Sequence, residues 1–190
     1  MALDPTQAAN KALNALGAET LTDIGESSTN ARRCQAAMAM LVDEVLEAHP
    51  WHFAKRRAPL AASGTAPDFG WGYAFPLPTA PWCLRPLQVG GRDAGDDWTV
   101  EGRDILANEP GPLQLVFIAR VDLAQASGHF GRALGYRLAA EIGFAVTNSR
   151  EVVADMWRLY ERSLSDARAI NAQSAPPAEA EASYLLAARR

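Results

Sequence analysis

The chain shows helical periodicity towards both ends and loses it in the middle. Apolar residues recur three or four positions apart in four stretches, at residues 6–16, 28–49, 127–147 and 148–172. From residue 51 to about 121, Pro and Gly instead punctuate short segments rich in aromatic and branched residues, which is typical of strands. These segments lie too close together for crossover helices, so we expect them to pair antiparallel. The sequence predicts an α+β fold, a bundle of about four helices with an inserted antiparallel β-rich module.

Local signals set the expected ends of the helices. Asp4, which precedes a proline, is an N-cap candidate, and Gly17 can end the first helix. Pro50 disfavours helical geometry at residue 49 and ends the second helix. Asn148 and Glu151 have the spacing of a capping box, so we expect the fourth helix to begin there.

The third helix is rich in glycine. Each interior glycine costs a helix up to about 1 kcal/mol, so we expect these residues to permit close packing against a neighbouring helix. The glycines are Gly128, Gly131, Gly135 and Gly143, and the expected apolar face contains Phe130, Leu134, Leu138, Ile142 and Ala145.

Six strands are predicted in the middle of the chain. Glu101 and Gly102 have the character of a hairpin turn between the fourth and fifth strands. Residues 90–96, with the sequence GGRDAGD, are expected to form an exposed loop. The strands are expected at 52–60, 73–77, 83–89, 97–100, 104–107 and 113–121.

Composition excludes several classes of protein. With 190 residues, 48% of them hydrophobic, and a net charge of −4, the chain has the composition of a soluble globular protein. The net negative charge argues against a protein that binds nucleic acid through a broad basic surface. The densest basic cluster is Lys55, Arg56 and Arg57; in a strand, Lys55 and Arg57 would share one face. No apolar run approaches the ~18 residues that cross a bilayer, and no signal peptide is expected.

Few residues suggest chemistry. The potential metal ligands His49, His52, Cys34 and Cys83 lack the close pairing of zinc sites, and we expect a packed aromatic junction around the two histidines. Without export, a disulfide is not expected. No Gly-x-Ser-x-Gly motif or phosphate-binding loop occurs. The paired carboxylates Asp96 with Asp97, and Glu101 with Asp104, are expected in loops and turns. We therefore expect neither an enzyme nor a bound cofactor or metal.

The last segment, residues 173–190, has no apolar periodicity until its end, and we expect an extended tail. A short aromatic and aliphatic element on such a tether suggests docking onto a partner. The chain thus divides into a helix-bundle domain (1–50 and 122–172), an inserted β-rich domain (51–121) and the tail. The terminal element contains Tyr184, Leu185, Leu186, Arg189 and Arg190.

The order of motifs along nearly the whole chain resembles the phage tail tubular protein A family, the head-to-tail adaptors of tailed phages. The motifs are an Ala-Arg-Arg-Cys helix (31–34) leading into His-Pro-Trp-His-Phe-Ala (49–54), Gly-Tyr-Ala-Phe-Pro-Leu-Pro (72–78), Cys-Leu-Arg (83–85), a hairpin at 98–108, Phe-Ile-Ala-Arg-Val (117–121), Leu-Ala-Ala-Glu (138–141), a Thr-Asn-Ser junction at 147–149, and the terminal aromatic-Leu-x-Ala-Arg element. Their collinearity carries the resemblance.

The resemblance implies a virion structural protein. It implies a ring of subunits, usually twelve, that binds below the portal, extends the DNA channel and provides the platform for a tail protein such as a nozzle, stopper or tail tube. Contact with packaged DNA would be passive, and no membrane is involved. The chain would be made in the host cytoplasm and end in the virion. We expect Tyr184, Leu185, Leu186, Arg189 and Arg190 to bind the portal, and Arg158, Arg162 and Arg168 to pair between subunits.

Two other functions stay open. A tail-side ring, such as a stopper or tail terminator, would also be structural but would bind the tail tube. A tail-associated cell-wall hydrolase would need a pair of acid and base groups, and the sequence offers no strong constellation of that kind.

Overall fold

The computed structural model describes residues 2–93 and 97–174. Its helices are α1 (Pro5–Ala15), α2 (Thr29–Glu47), α3 (Gly128–Thr147) and α4 (Arg150–Gln173). All four predicted helices are therefore confirmed, and their ends differ from the predicted ones by no more than a few residues. The predicted tail lies outside the described residues from residue 175 onwards.

Capping explains why α1 begins where it does. The Asp4 carboxylate accepts hydrogen bonds from the backbone N–H groups of Thr6 and Gln7, at 2.6 and 3.1 Å. The Gln7 side chain in turn accepts from the Asp4 N–H, which completes a capping box. The predicted N-cap is confirmed, and α2 ends at Glu47, three residues before Pro50.

The predicted capping box of the fourth helix is wrong. Asn148 is the C-cap of α3 and adopts the left-handed conformation, with φ of 52°. Asparagine tolerates this conformation because its short polar side chain bonds locally. The N-cap of α4 is Ser149, whose hydroxyl accepts from the Val152 N–H.

Three glycines of α3 meet other parts of the bundle closely, as predicted. An ideal Cβ on Gly135 would lie 2.5 Å from Lys11 Cγ of α1. Gly128 differs, because nothing lies within 4 Å of such an atom at the first residue of the helix. The predicted apolar face is wrong at Ala145, which is exposed because it borders an open groove between α2 and α3. The three close contacts are Gly131 with Leu3, Gly135 with Lys11 and Gly143 with Val153.

Between α2 and α3 the described residues form seven strands in two antiparallel sheets. The first has the order β1-β7-β3-β4 and the second β2-β6-β5. The protein is therefore a mixed α+β fold. The strands are β1 (Lys55–Leu60), β2 (Tyr73–Pro76), β3 (Cys83–Val89), β4 (Arg92–Asp93), β5 (Trp98–Glu101), β6 (Asp104–Ala107) and β7 (Leu113–Ala119).

Turn geometry confirms one predicted hairpin and adds another. Gly102, with φ of 58°, turns the chain between β5 and β6, which pair Glu101 with Asp104. The exposed loop predicted at 90–96 is wrong at residues 92 and 93, which form β4 and pair with β3. Gly90 and Gly91 both have positive φ, the geometry that a two-residue hairpin turn requires. The predicted strand at 52–60 begins only at Lys55, because residues 52–54 form a 3-10 turn.

Strand β7 lies between two hydrophobic cores. Alternate residues of one face pack against the second sheet, whereas Ile118 on the other face packs into the helix bundle. Val116 and Gln114 lie on the same face of the strand as Ile118, but Val116 is half-buried and Gln114 is exposed. One end of this sheet face is thus covered by helices and the other end is open. The β7 residues in the sheet-to-sheet core are Leu113, Leu115, Phe117 and Ala119.

Candidate interaction surfaces

The histidine junction is a packed joint between α2, the first sheet and α4. Trp51 is 1% exposed, donates from Nε1 to the Val45 carbonyl at 2.8 Å, and meets the His49 ring edge-on at a centroid distance of 4.8 Å. The Asn171 amide bridges the junction, because its Oδ1 accepts from the His52 N–H at 3.0 Å and its Nδ2 lies 2.9 Å from His49 Nε2. Burial and nearby positive charges lower the pKa of His49 below its ordinary value.

The four potential metal ligands do not come together. Cys34 lies in the bundle core and Cys83 in the core between the two sheets. Burial raises the pKa of the Cys34 thiol and raises that of Cys83 to about 11. Within residues 2–93 and 97–174, no three His, Cys, Asp or Glu side chains are grouped so that they could hold a metal ion.

Two of the predicted carboxylates line a shallow cleft. Glu101 and Asp104 face each other across the β5–β6 hairpin and share the cleft, of about 490 Å³, with Asp68 and Trp71. Sequence reasoning did not associate Asp68 with this pair, because it is distant along the chain. Asp96 lies outside the described residues.

An arginine joint connects three helices. Arg137 of α3 is 7% exposed and donates to both Glu44 oxygens, at 2.7 and 2.9 Å, and to Glu141 at 2.9 Å. Its guanidinium also lies 4.5 Å from the ring centre of Trp157 on α4. Burial opposes the charge, but the hydrogen bonds to Glu44 and Glu141 outweigh burial and raise the pKa of Arg137. Arg137 and Glu141 are four residues apart on α3, and this spacing is a sequence signal from which the ion pair between them could have been predicted.

The three arginines predicted to pair between subunits all lie on α4. Arg158 donates to Asp155 at 2.6 Å, and Arg168 donates to the Ala48 carbonyl at 2.8 Å. Arg162 is exposed and makes no ion pair with Asp166 in the described part of the chain. Two of the three are therefore engaged within their own chain.

The bundle groove is an open apolar hollow between α2 and α3, of about 340 Å³. Met40 of α2, 59% exposed, lines it, and on α3 Phe144, which precedes the lining residue Ala145, is 50% exposed. Exposed apolar side chains that cluster in this way are typical of interaction surfaces. The groove is lined by Arg33, Ala36, Ala37, Met40, Glu141, Ile142 and Ala145.

The basic groove lies on the open end of the first sheet. Lys55 and Arg57 of β1 are exposed on the same face of the strand, as predicted. Two hollows of about 230 and 360 Å³ share Gln88 and Val116 and so form one continuous groove. Pro50 and Leu87 border its first part, and Pro59, Gly91 and Gln114 border its second.

The predicted portal-binding residues lie outside the described part of the chain. They are Tyr184, Leu185, Leu186, Arg189 and Arg190.

Comparison with protein-family models finds no match, and comparison with curated proteins finds no significant one. Among the described helices, none combines the length and the apolar character that crossing a bilayer demands.

Proposed function

We propose that this chain is the subunit of a phage head-to-tail adaptor, a ring that binds below the portal and extends the DNA channel. The proposal rests on the collinear motifs of the sequence. The structural observation that supports it best is the bundle groove, because a protein that works alone has little reason to expose Met40 of α2 and Phe144 of α3 to water.

Assembly would be the mechanism. Each subunit would pack a helical face against the bundle groove of its neighbour, and ring closure would repeat that contact around the ring. Each C-terminal element would then bind the portal, so that many weak contacts act together. The net charge of −4 suits a channel wall, since negative charge keeps packaged DNA from adhering. The opposite side of the ring would present a platform to a tail protein.

Deletion of residues 183–190 tests the role of the tail. We expect the truncated chain to stay folded, because the described core contains none of these residues, and to lose association with the cognate portal. Light scattering on the chain alone and mixed with portal measures the association. A full-length chain that ignores the portal but associates with the tail tube would identify a tail-side ring and contradict the adaptor function. Unchanged portal binding after truncation would contradict the portal-binding role of the tail.

A further inference from the structure

Helix α4 ends beside the basic groove. The last turn is held there by Asn171, which bonds both His52 and His49, and by Arg168, which bonds the Ala48 carbonyl. Pro50, which lies between these contacts, also borders the first part of the groove. Asn171, three residues before Ser174, is therefore held beside one end of the groove.

The groove combines two cations with an apolar floor. Lys55 and Arg57 have no ion-pair partner among the described residues, and no described acidic residue lines either hollow. Val116 and Leu87 provide apolar surface in the first part, and Val116 and Pro59 in the second. A complementary ligand is an extended peptide that presents acidic groups first and apolar side chains after them.

The segment that follows α4 in this chain has acidic residues first and apolar residues after them. Glu179 and Glu181 are two residues apart, as Lys55 and Arg57 are, so in extended chains both pairs have their side chains on one face. Tyr184, Leu185 and Leu186 come next.

The lengths also match. From Ser174 to Glu179 an extended chain covers about 17 Å, whereas the three residues from His52 to Lys55 span at most ~10 Å. About 7 Å therefore remain to cover the separation between Ser174 and His52, the residue that Asn171 bonds. From Lys55 to Pro59 the strand covers about 13 Å, and five residues from Glu179 reach as far as Tyr184.

We propose that the basic groove binds residues 179–186 of its own chain, with Glu179 and Glu181 on Lys55 and Arg57 and the Tyr184–Leu186 element on the apolar part. The short connection gives an effective concentration on the order of millimolar, so a weak contact is enough to populate the bound state. The binding itself does not depend on the adaptor proposal. If the chain is an adaptor, the Tyr184–Leu186 element would stay bound to the basic groove until the portal competes for it.

A spin label on the full-length chain tests the contact. With Ser183→Cys carrying a nitroxide, we expect the amide signals of Gln114 and Val116 to lose most of their intensity. The native Cys34 and Cys83 are buried, and wild-type chain treated with the same reagent controls for their labelling. Unchanged Gln114 and Val116 signals in the labelled variant would overturn the proposal.

Charge variants test the pairing. Lys55→Glu with Arg57→Glu is expected to restore the signals, and adding Glu179→Lys with Glu181→Lys to that variant is expected to abolish them again. Arg132→Glu with Arg150→Glu makes the same change of charge at exposed positions of α3 and α4 and should leave the loss of signal intact. Failure of the charge swap would contradict the assigned pairing.

An isotope mixture identifies the source of the tail. When unlabelled chain carrying the nitroxide is mixed with isotope-labelled chain lacking it, binding within one chain predicts full signal intensity. Signal loss in the mixture would mean that a second copy supplies the tail and would overturn the proposal. Light scattering with portal tests the adaptor function separately, so either idea can fail while the other stands.

Discussion

At the scale of single residues, Arg137 has the most demanding surroundings, because a charge that is nearly buried must keep its partners. We expect Arg137→Met to lower the free energy of unfolding by about 2 kcal/mol. The loss is smaller than for a fully buried pair because the Glu44 and Glu141 side chains are 41% and 40% exposed and water can solvate them. Urea denaturation measures the change.

Arg158 provides the matched control. Its ion pair with Asp155 lies within α4 and both side chains are well exposed, so Arg158→Ala should cost less than about 0.5 kcal/mol. Equal losses in the two variants would show that burial does not set the strength of the Arg137 joint.

His49 makes stability depend on pH. Asn171 turns its NH2 group towards His49 Nε2, so only the neutral imidazole can accept, and burial likewise lowers the pKa of His49 in the folded state. The unfolded chain then binds the proton more readily. The stabilisation is complete above about pH 6.5 and falls as the pH drops below it, by at most about 1.4 kcal/mol per pH unit.

Subtracting two stability curves isolates this effect. The free energy of unfolding is measured by chemical denaturation from about pH 7.5 down to about pH 5, a range that includes the ordinary histidine pKa. Over this range His49→Gln should lose less stability than wild type does. Parallel curves for wild type and His49→Gln would contradict the role of His49.

At the scale of elements, the contact of α1 with α3 depends on Gly135. An added methyl group would lie 2.5 and 2.8 Å from Cγ and Cβ of Lys11, close to the root of that side chain, so α1 must move. We expect Gly135→Ala to destabilise the protein by about 1–3 kcal/mol, although alanine favours a helix more than glycine does. Thermal unfolding measures the change.

Gly128→Ala is the control, because nothing lies within 4 Å of an added methyl group there, and it should be neutral or slightly stabilising. A loss of stability equal to that of Gly135→Ala would argue against close packing as the cause.

Sequence periodicity was sufficient to predict the helices, because each apolar stripe is a local signal. Phe130, Leu134 and Leu138 could be assigned to the core before any contact was known. The partners of Arg137 were not predictable in the same way, since Glu44 is 93 positions away and is brought close only by the packing of α2 on α3. The basic groove was predicted in part: Lys55 and Arg57 follow from strand alternation.

The rest of the site needed the fold. Gln88 and Val116 meet in the groove only because β7 lies between β1 and β3, an order that hydrophobic patterns do not encode. Strand β4 was missed because its two residues carry no apolar signal, and the turn glycines that create it are equally typical of an exposed loop. The adaptor function, the division into domains and the role of the tail stay predictions.

At the scale of the whole molecule, the bundle groove predicts how subunits meet. Met40→Glu with Phe144→Glu should weaken ring assembly on the portal by about tenfold or more, equivalent to ~1.4 kcal/mol, because charge would enter an apolar contact. The unfolding temperature should stay unchanged, since both side chains are exposed. Light scattering of portal mixtures measures assembly. Val100→Glu, at an apolar position of the second sheet that is 40% exposed, should assemble normally. Normal assembly of the groove variant would exclude this face as the subunit contact.

The central position of α3 has a consequence for how the protein opens. This helix packs against all three of the other helices, whereas α1 and α2 contact each other only slightly. No smaller helical unit keeps a core once α3 is exposed, so its middle amides become accessible to solvent only when the bundle unfolds as a whole. Their hydrogen exchange would therefore report the global stability of the bundle, and it would slow if assembly into a ring stabilises the folded subunit.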